Sequence, residues 1–299
     1  NAADRIKITY YLAKKWGLTD RVDSDGDGAR DTYDDFPLDP SKIKDLSGEM
    51  DTAIGGGHNS ASIIDDIEGD LLVWLDGKNI DNQENASLSN GANITQWADL
   101  SGKNHNANQS SSGSQATYTS NAIKFDGTDD FYKIADAEEL PDDLRIGHEV
   151  NKEFTIIILF NSHAKPVDNP LSGNQDSHTL LAKTSGKTES KTDYVMFRGD
   201  NDDFYFQTAD ANVNSSGYGY KYTSPAPDLN TKNIAFATLK STDTQTGTNT
   251  LYINGTWKFS GGYTAKGPES RDYLYLGTRR AEDSNPAFVY RLYEGEFHE

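Results

Sequence analysis

Residues 23–34 read DSDGDGARDTYD and carry the most specific chemistry in the chain. Carboxylates stand at loop positions 1, 3, 5, 9 and 12 (Asp23, Asp25, Asp27, Asp31 and Asp34), with Gly28 at position 6. This is the spacing of an EF-hand-style calcium loop, in which a hard cation collects six to eight oxygens and the glycine permits a sharp turn. Ala29, at position 7, would contribute its backbone carbonyl. Position 12 is Asp34 instead of the usual Glu, which shortens its bidentate reach, and Asp35 and Asp39 are spare oxygens nearby. Without a metal these carboxylates repel one another and hold the segment open. The competing reading is a solvated acidic linker, since residues 20–51 hold eleven acidic residues against four basic ones.

Catalytic chemistry finds little footing. There is no cysteine, which removes thiol nucleophiles, disulfides and cysteine-ligated metals. The histidines (His58, His105, His148, His163, His178 and His298) are scattered, with no HxH or HExxH spacing. Glu294 and Glu296 alternate in EGEFHE, with Glu299 following, a pattern expected of a solvated edge strand. The formal net charge of −19 repels phosphate backbones and anionic membranes, so nucleic acid is a poor partner. No apolar run approaches the roughly 20 residues of a membrane span. The expectation is a protein that is not an enzyme.

The elements that must position the loop follow from periodicity. Residues 1–17 read as a helix with Asp4 in its first turn, Lys14 and Lys15 in its last, and Gly17 suited to the left-handed cap. Ile8, Leu12 and Trp16 recur at i, i+4 and i+8 with Tyr11 beside them, giving an apolar stripe. Such a short helix is marginal alone in water and needs a body to dock on. Residues 52–66 (TAIGGGHNSASIIDD) read as a linker. From Leu71 onward short apolar or alternating runs are separated by turn residues: LLVWLD (71–76), AIKFDG (122–127), FTIIILF (154–160), TLLAKT (179–184), DYVMFRG (193–199), DFYFQTA (203–209), NIAFATLK (233–240), NTLYINGTW (249–257) and YLYLGTR (273–279). Asn254-Gly255 predicts a two-residue hairpin. Only 34% of the chain is hydrophobic, but Tyr (16) and Phe (12) can build a core where Met (2) is scarce. The pattern predicts an all-β sandwich of the jelly-roll kind. Tyr218, Tyr220 and Tyr222 would share one strand face, either as a stacking platform for sugar rings or as ordinary sheet packing.

Two resemblances sharpen this reading. DSDGDGARDTYDDFPLDP (23–40) resembles the bacterial form of the thrombospondin type 3 repeat, with Phe36 where the vertebrate form has a cysteine. In that family Asp-rich loops wrap calcium and stiffen connections between modules. LLVWLDGKNI (71–80), ITQWADLSGKNHNANQ (94–109), IKFDGTDDFYKI (123–134) and NTLYINGTWKFS (249–260) resemble bacterial laminin-G-like, concanavalin A-like jelly-roll modules of large surface proteins. That resemblance implies recognition or structure more often than catalysis. It also implies a possible second calcium site from Asp99, Asn104, Asp129 and Asp130. The alternative is that WxDxSG and FDGxDD are turn devices, in which Asp and Ser bond their own backbone.

The organisation expected is a helix at 1–18 resembling the tail of a preceding module, a calcium loop at 19–47, a linker at 48–70 and a laminin-G-like sandwich at 71–299. In the resembling modules a late strand and a helix ending in KWGL close the fold. The copy at 71–299 is therefore expected to be completed by a segment outside itself. Ile8, Tyr11, Leu12 and Trp16 would dock the helix either on its own sandwich or on a neighbouring copy, and the second case would propagate head to tail into a filament. The function implied is a calcium-stabilised structural or adhesive module, extracellular or at a cell surface, with neighbouring copies, a glycan or a surface protein as partners. The alternative is a carbohydrate-binding module of a secreted enzyme.

Overall fold

The computed structural model describes residues 2–34, 36–41, 70–120, 122–134, 153–166, 177–184, 192–199, 202–209, 218–219, 222–223, 226–241, 246–264, 273–278 and 293–298. Of the linker expected at 48–70, residues 48–69 lie outside them, as does Asp35.

Helix α1 spans Ala2–Trp16. The strands follow as β1 (Gln96–Trp97), β2 (Ala107–Asn108), β3 (Thr117–Tyr118), β4 (Ile123–Asp126), β5 (Tyr132–Ile134), β6 (Glu153–Ser162), β7 (Ser177–Thr184) and β8 (Thr192–Gly199). Then come β9 (Phe204–Ala209), β10 (Tyr218–Gly219), β11 (Tyr222–Thr223), β12 (Asn233–Ser241), β13 (Thr246–Ile253), β14 (Thr256–Thr264), β15 (Tyr273–Leu276) and β16 (Glu294–Phe297). They form two antiparallel sheets. One is seven-stranded in the order β14-β13-β12-β6-β16-β4-β3, and the other nine-stranded in the order β1-β2-β5-β15-β7-β8-β9-β10, with β11 also on β9. The protein is therefore an all-β sandwich of jelly-roll type, with one short α-helix among the described residues.

Period-two alternation decides which residues enter the core. In β12, Ala235, Ala237 and Leu239 point between the sheets, while Ile234 and Phe236 point outward. The core is aromatic as composition requires: Trp97, Tyr132, Phe125, Phe160, Phe204 and Phe206 are fully buried, and the Tyr132 hydroxyl donates to the Ile94 carbonyl (2.6 Å). The hairpin between β13 and β14 turns at Asn254-Gly255, where both residues take positive φ (51° and 81°). That is the backbone a two-residue turn demands.

Three expectations differ from the structure. LLVWLD forms no ladder beyond the isolated Leu75–Asp99 bridge, because the Trp74 N–H is taken by the Asp99 side chain (2.8 Å) instead of a strand carbonyl. Glu294 and Glu296 do not lie on an edge: β16 is inserted between β4 and β6, and its alternate residue Phe297 is buried in the core. Tyr218 and Tyr222 belong to two separate short strands on different stretches of β9, so they do not form one strand's row; Tyr220 lies outside the described residues.

Helix α1 lies on the outer face of the seven-stranded sheet of its own chain. Its C-terminus closes in a Schellman motif, with Leu18 N–H bonded to the Ala13 carbonyl (2.7 Å), Gly17 N–H to the Lys14 carbonyl (3.3 Å) and Gly17 at φ 68°. Leu12, Ala13, Leu18 and Val22 then pack with Leu159 of β6 and Ile234 of β12, flanked by Ile8, Tyr11, Trp16 and Ile157. Of the two docking partners the sequence left open, the structure shows its own sandwich, so the apolar stripe is used within the chain. Lys15 pairs with Asp76 at 2.9 Å, and Arg5 lies 4.3 Å over the Tyr252 ring. Leu12 is 5% exposed, and Leu12→Ala is expected to cost about 2–4 kcal/mol in urea unfolding.

Candidate metal centre

The Asp-rich loop is folded by its own carboxylates. Asp23 accepts from Gly26 N–H through Oδ1 (2.7 Å) and from Gly28 N–H through Oδ2 (3.0 Å). Asp25 Oδ1 accepts from Asp27 N–H (3.3 Å), Asp27 Oδ1 from Ala29 N–H (2.8 Å) and Asp34 Oδ1 from Phe36 N–H (2.8 Å). Gly26 and Gly28 take φ of 82° and 101°, which these turns require and other residues rarely adopt. The outcome is a concave segment in which one oxygen each of Asp23, Asp25 and Asp27 lies within 4.8 Å of the others.

Two atoms in this segment are costly as they stand. Asp25 is 6% exposed, and the Oδ2 atoms of Asp25 and Asp27 are buried without a hydrogen-bond donor among the described residues. A buried carboxylate oxygen with no donor carries an uncompensated desolvation penalty. Burial, aided by the charges of Asp27, Asp34 and Asp23, pushes the Asp25 carboxyl up to about 6 against the Asp27 N–H bond. Asp31 is likewise pushed up to about 6, first by burial and then by the charges of Asp23 and Asp34. A divalent cation would remove both the repulsion and the lost hydration, and an all-oxygen set suits calcium or magnesium better than softer metals. The donor set therefore fits the ion that the spacing implies.

The expected ligands have different surroundings. Asp31 turns to Ser24, accepting from its N–H and its hydroxyl (both 2.7 Å), and so braces the loop from the position-9 side. Sequence reasoning missed Ser24, which no spacing rule marks. Asp34 is buried, as the last turn of a closed loop requires.

The loop is seated between helix and sheet. Arg5 of α1 reaches the Ser24 carbonyl (3.5 Å), and Tyr10 feels the charges of Asp31 and Asp34. On the other side Asp23 N–H meets the Asn254 carbonyl (3.5 Å). Gly255 approaches so closely that a Cβ there would overlap the Asp23 carbonyl. The hairpin turn was legible in the sequence; its second role as the loop's seat was not.

The second expected group is divided. Both oxygens of Asp99 are committed: Oδ1 accepts from Trp74 and Ser101 N–H (2.8 and 3.0 Å), Oδ2 from the Ser101 hydroxyl and His105 N–H (2.7 and 2.8 Å). Burial works against its ionisation, but these donors outweigh it and hold the carboxyl below its usual range. Asn104 takes φ 64° and accepts from Asn106 (3.0 Å). Asp129 and Asp130 converge instead with Asp126, whose Oδ1 also accepts from Thr128 N–H (2.7 Å). Asp130 Oδ2 accepts from Asp126 N–H (2.9 Å), and burial pushes this carboxyl up to about 6. These contacts are turn-forming ones.

No protein-family model and no curated protein matches the chain. Among solved structures it is similar to the carbohydrate-binding module CBM40 of the Ruminococcus gnavus IT-sialidase bound to α2,3-sialyllactose, at 13% identity and TM-score 0.38, covering 60% of this chain and 87% of that one. It is also similar to the SAP-like pentraxin of Limulus polyphemus, at 12% identity and TM-score 0.37, covering 60% of this chain and 73% of that one. A third likeness is to Trypanosoma rangeli sialidase, at 17% identity and TM-score 0.46, where the match spans 71% of this chain and 28% of that enzyme. No helix among the described residues is long and apolar enough to cross a membrane.

Proposed function

We propose that this protein is a non-catalytic, calcium-stabilised structural or adhesive module of an extracellular or cell-surface protein. The bound ion would lock α1, the Asp-rich loop and the sandwich into one rigid unit. The observation that carries the reading is the pair of buried, donor-less Oδ2 atoms of Asp25 and Asp27 in a loop wedged between helix and hairpin. Asp23, Asp25, Asp27, Asp34 and the Ala29 carbonyl would hold the ion, and Asp31 with Ser24 would support them. Calcium supplies only charge and coordination here. The chain's own groups do the joining: Val22 and Leu18 in the apolar cluster, Arg5 on the Ser24 carbonyl, and Asn254-Gly255 under Asp23. Isothermal titration should give calcium uptake by the intact chain that disappears in Asp25→Asn plus Asp27→Asn. Unchanged uptake in that variant would overturn the assignment. Release of reducing ends or unsaturated products from polysaccharides would overturn the non-catalytic part.

A second reading, a carbohydrate-binding module, is favoured by the outer face of the nine-stranded sheet. There Phe197 and Tyr205 stack at 4.7 Å and 6°, on the same face as Gln207 and Thr179. Both rings are half-buried, and aromatic faces on an outer sheet surface suit the apolar face of a sugar ring. A glycan array on wild type and Tyr205→Ala tests it. A signal lost in the variant supports the reading, and no signal in calcium buffer counts against it.

A further inference from the structure

The end of α1 carries a group of cations that the calcium reading does not use. Lys78, in the turn after Asp76, and Lys232, just before β12, hold their ammoniums 4.3 and 4.5 Å from the Trp16 ring centroid. Both lysines are half-buried. Among the described residues neither has a carboxylate within 4.0 Å. The acids nearby are engaged: Asp76 holds Lys15 at 2.9 Å, and Glu296 lies among Asn161, His298 and His163 at 3.4, 3.6 and 3.8 Å.

Lys15 Nζ also lies 5.6 Å from this ring centroid, and like charges gathered over one ring are costly. Burial lowers the Lys232 pKa, the Glu296 charge offsets this in part, and the Lys78 charge adds a smaller lowering. Cation–π attraction to a single indole compensates each ammonium modestly. The lysines are not needed to cap the helix at Ala13 and Lys14, whose carbonyls already accept from Leu18 and Gly17. The ring has an unmet donor of its own, since the Trp16 Nε1–H is buried with no acceptor among the described residues. Two ammoniums without a close carboxylate thus flank an indole whose N–H lacks an acceptor among the described residues.

We propose that the Trp16, Lys78 and Lys232 group is a binding site for an oxyanion, the carboxylate or sulfate group of a small acidic ligand. The anion bridges the two ammoniums beside the indole, whose buried N–H reports its arrival. Charge-assisted bonds of this kind are the strong ones. The site depends on α1 being docked, because Trp16 comes from the helix and both lysines from the sandwich. It does not depend on the identity of the metal or on the saccharide face.

The test is two-dimensional NMR of the intact calcium-loaded chain, following the Trp16 indole N–H, assigned through Trp16→Phe. Sodium sulfate and sodium glucuronate are titrated separately against sodium chloride at matched ionic strength. The expected result is a saturable shift with at least one oxyanion and none with chloride. In Lys78→Met or Lys232→Met the apparent affinity should fall roughly tenfold or more, and Lys→Arg at the same positions should retain it. Sulfate alone active indicates a tetrahedral anion, and glucuronate alone a carboxylated sugar. Equal shifts with chloride, or shifts that persist in both Met variants, would overturn the proposal.

Discussion

Chelating calcium from the intact protein is expected to lower its thermal unfolding midpoint by about 10 °C. An ion held about a thousandfold above its Kd stabilises the folded state by about 4 kcal/mol, and each kcal/mol is worth about 2–4 °C in a domain of this class. The same residues set the pH dependence. Without metal, the buried Asp25 carboxyl stands at about 6 when folded against an ordinary 3.8. A raised carboxyl contributes stability that is present below about pH 4 and lost as pH rises through about 6. In chelator, Asp25→Asn should therefore be more stable than wild type at pH 7. That advantage should shrink by about 1 kcal/mol on moving to pH 5, where wild-type Asp25 is protonated. Comparing the two proteins removes His178, which burial holds down at about 4 and which destabilises both equally as pH falls. With calcium present the sign reverses, because protons compete with the ion for the same oxygens and acidification weakens wild type. Denaturant unfolding at pH 5 and 7, with and without chelator, provides all four values. An advantage of Asp25→Asn that is the same at both pH values would contradict the buried, donor-less carboxyl.

The second large effect is expected at Gly255. Alanine there must take φ near 81° and place its methyl group on the Asp23 carbonyl. Strain of this kind costs about 1–3 kcal/mol. Relief comes only by lifting the loop from the hairpin. Gly255→Ala should lower stability and also shrink the stabilisation that calcium adds, because Asp23 is displaced from its neighbours. Gly295→Ala is the control: its methyl group would meet the Asn161 carbonyl within the seven-stranded sheet. That variant should lose stability while keeping the calcium increment. Equal increments in the two variants would mean that the hairpin does not seat the loop.

Residues with a strict local rule were legible before the fold was known. Gly17, Asn254-Gly255 and the Asp23/Asp25/Asp27/Gly28 spacing each obey a short-range geometric demand, and the structure places each in the turn that demand describes. The alternation of β12 and β13 was equally plain, because one face of each strand is buried in the core. What stayed hidden depends on partners far apart in sequence. Asp99 reads alike as a ligand or a turn former until Trp74 and His105 are seen donating to it. Glu294 and Glu296 read as an edge until β4 and β6 close on either side. The docking face of α1 needed Leu159 and Ile234, more than 140 residues away, before its own sandwich was distinguished from a neighbour's.

Whether calcium holds the helix to the sandwich is read from hydrogen exchange of the α1 amides. With calcium, amides of residues 6–16 should exchange slowly, with protection close to that of β6 and β12. In chelator their protection should fall at least roughly tenfold while β6 and β12 keep theirs, since sub-global opening then releases loop and helix together. Identical exchange of α1 with and without calcium would contradict the account.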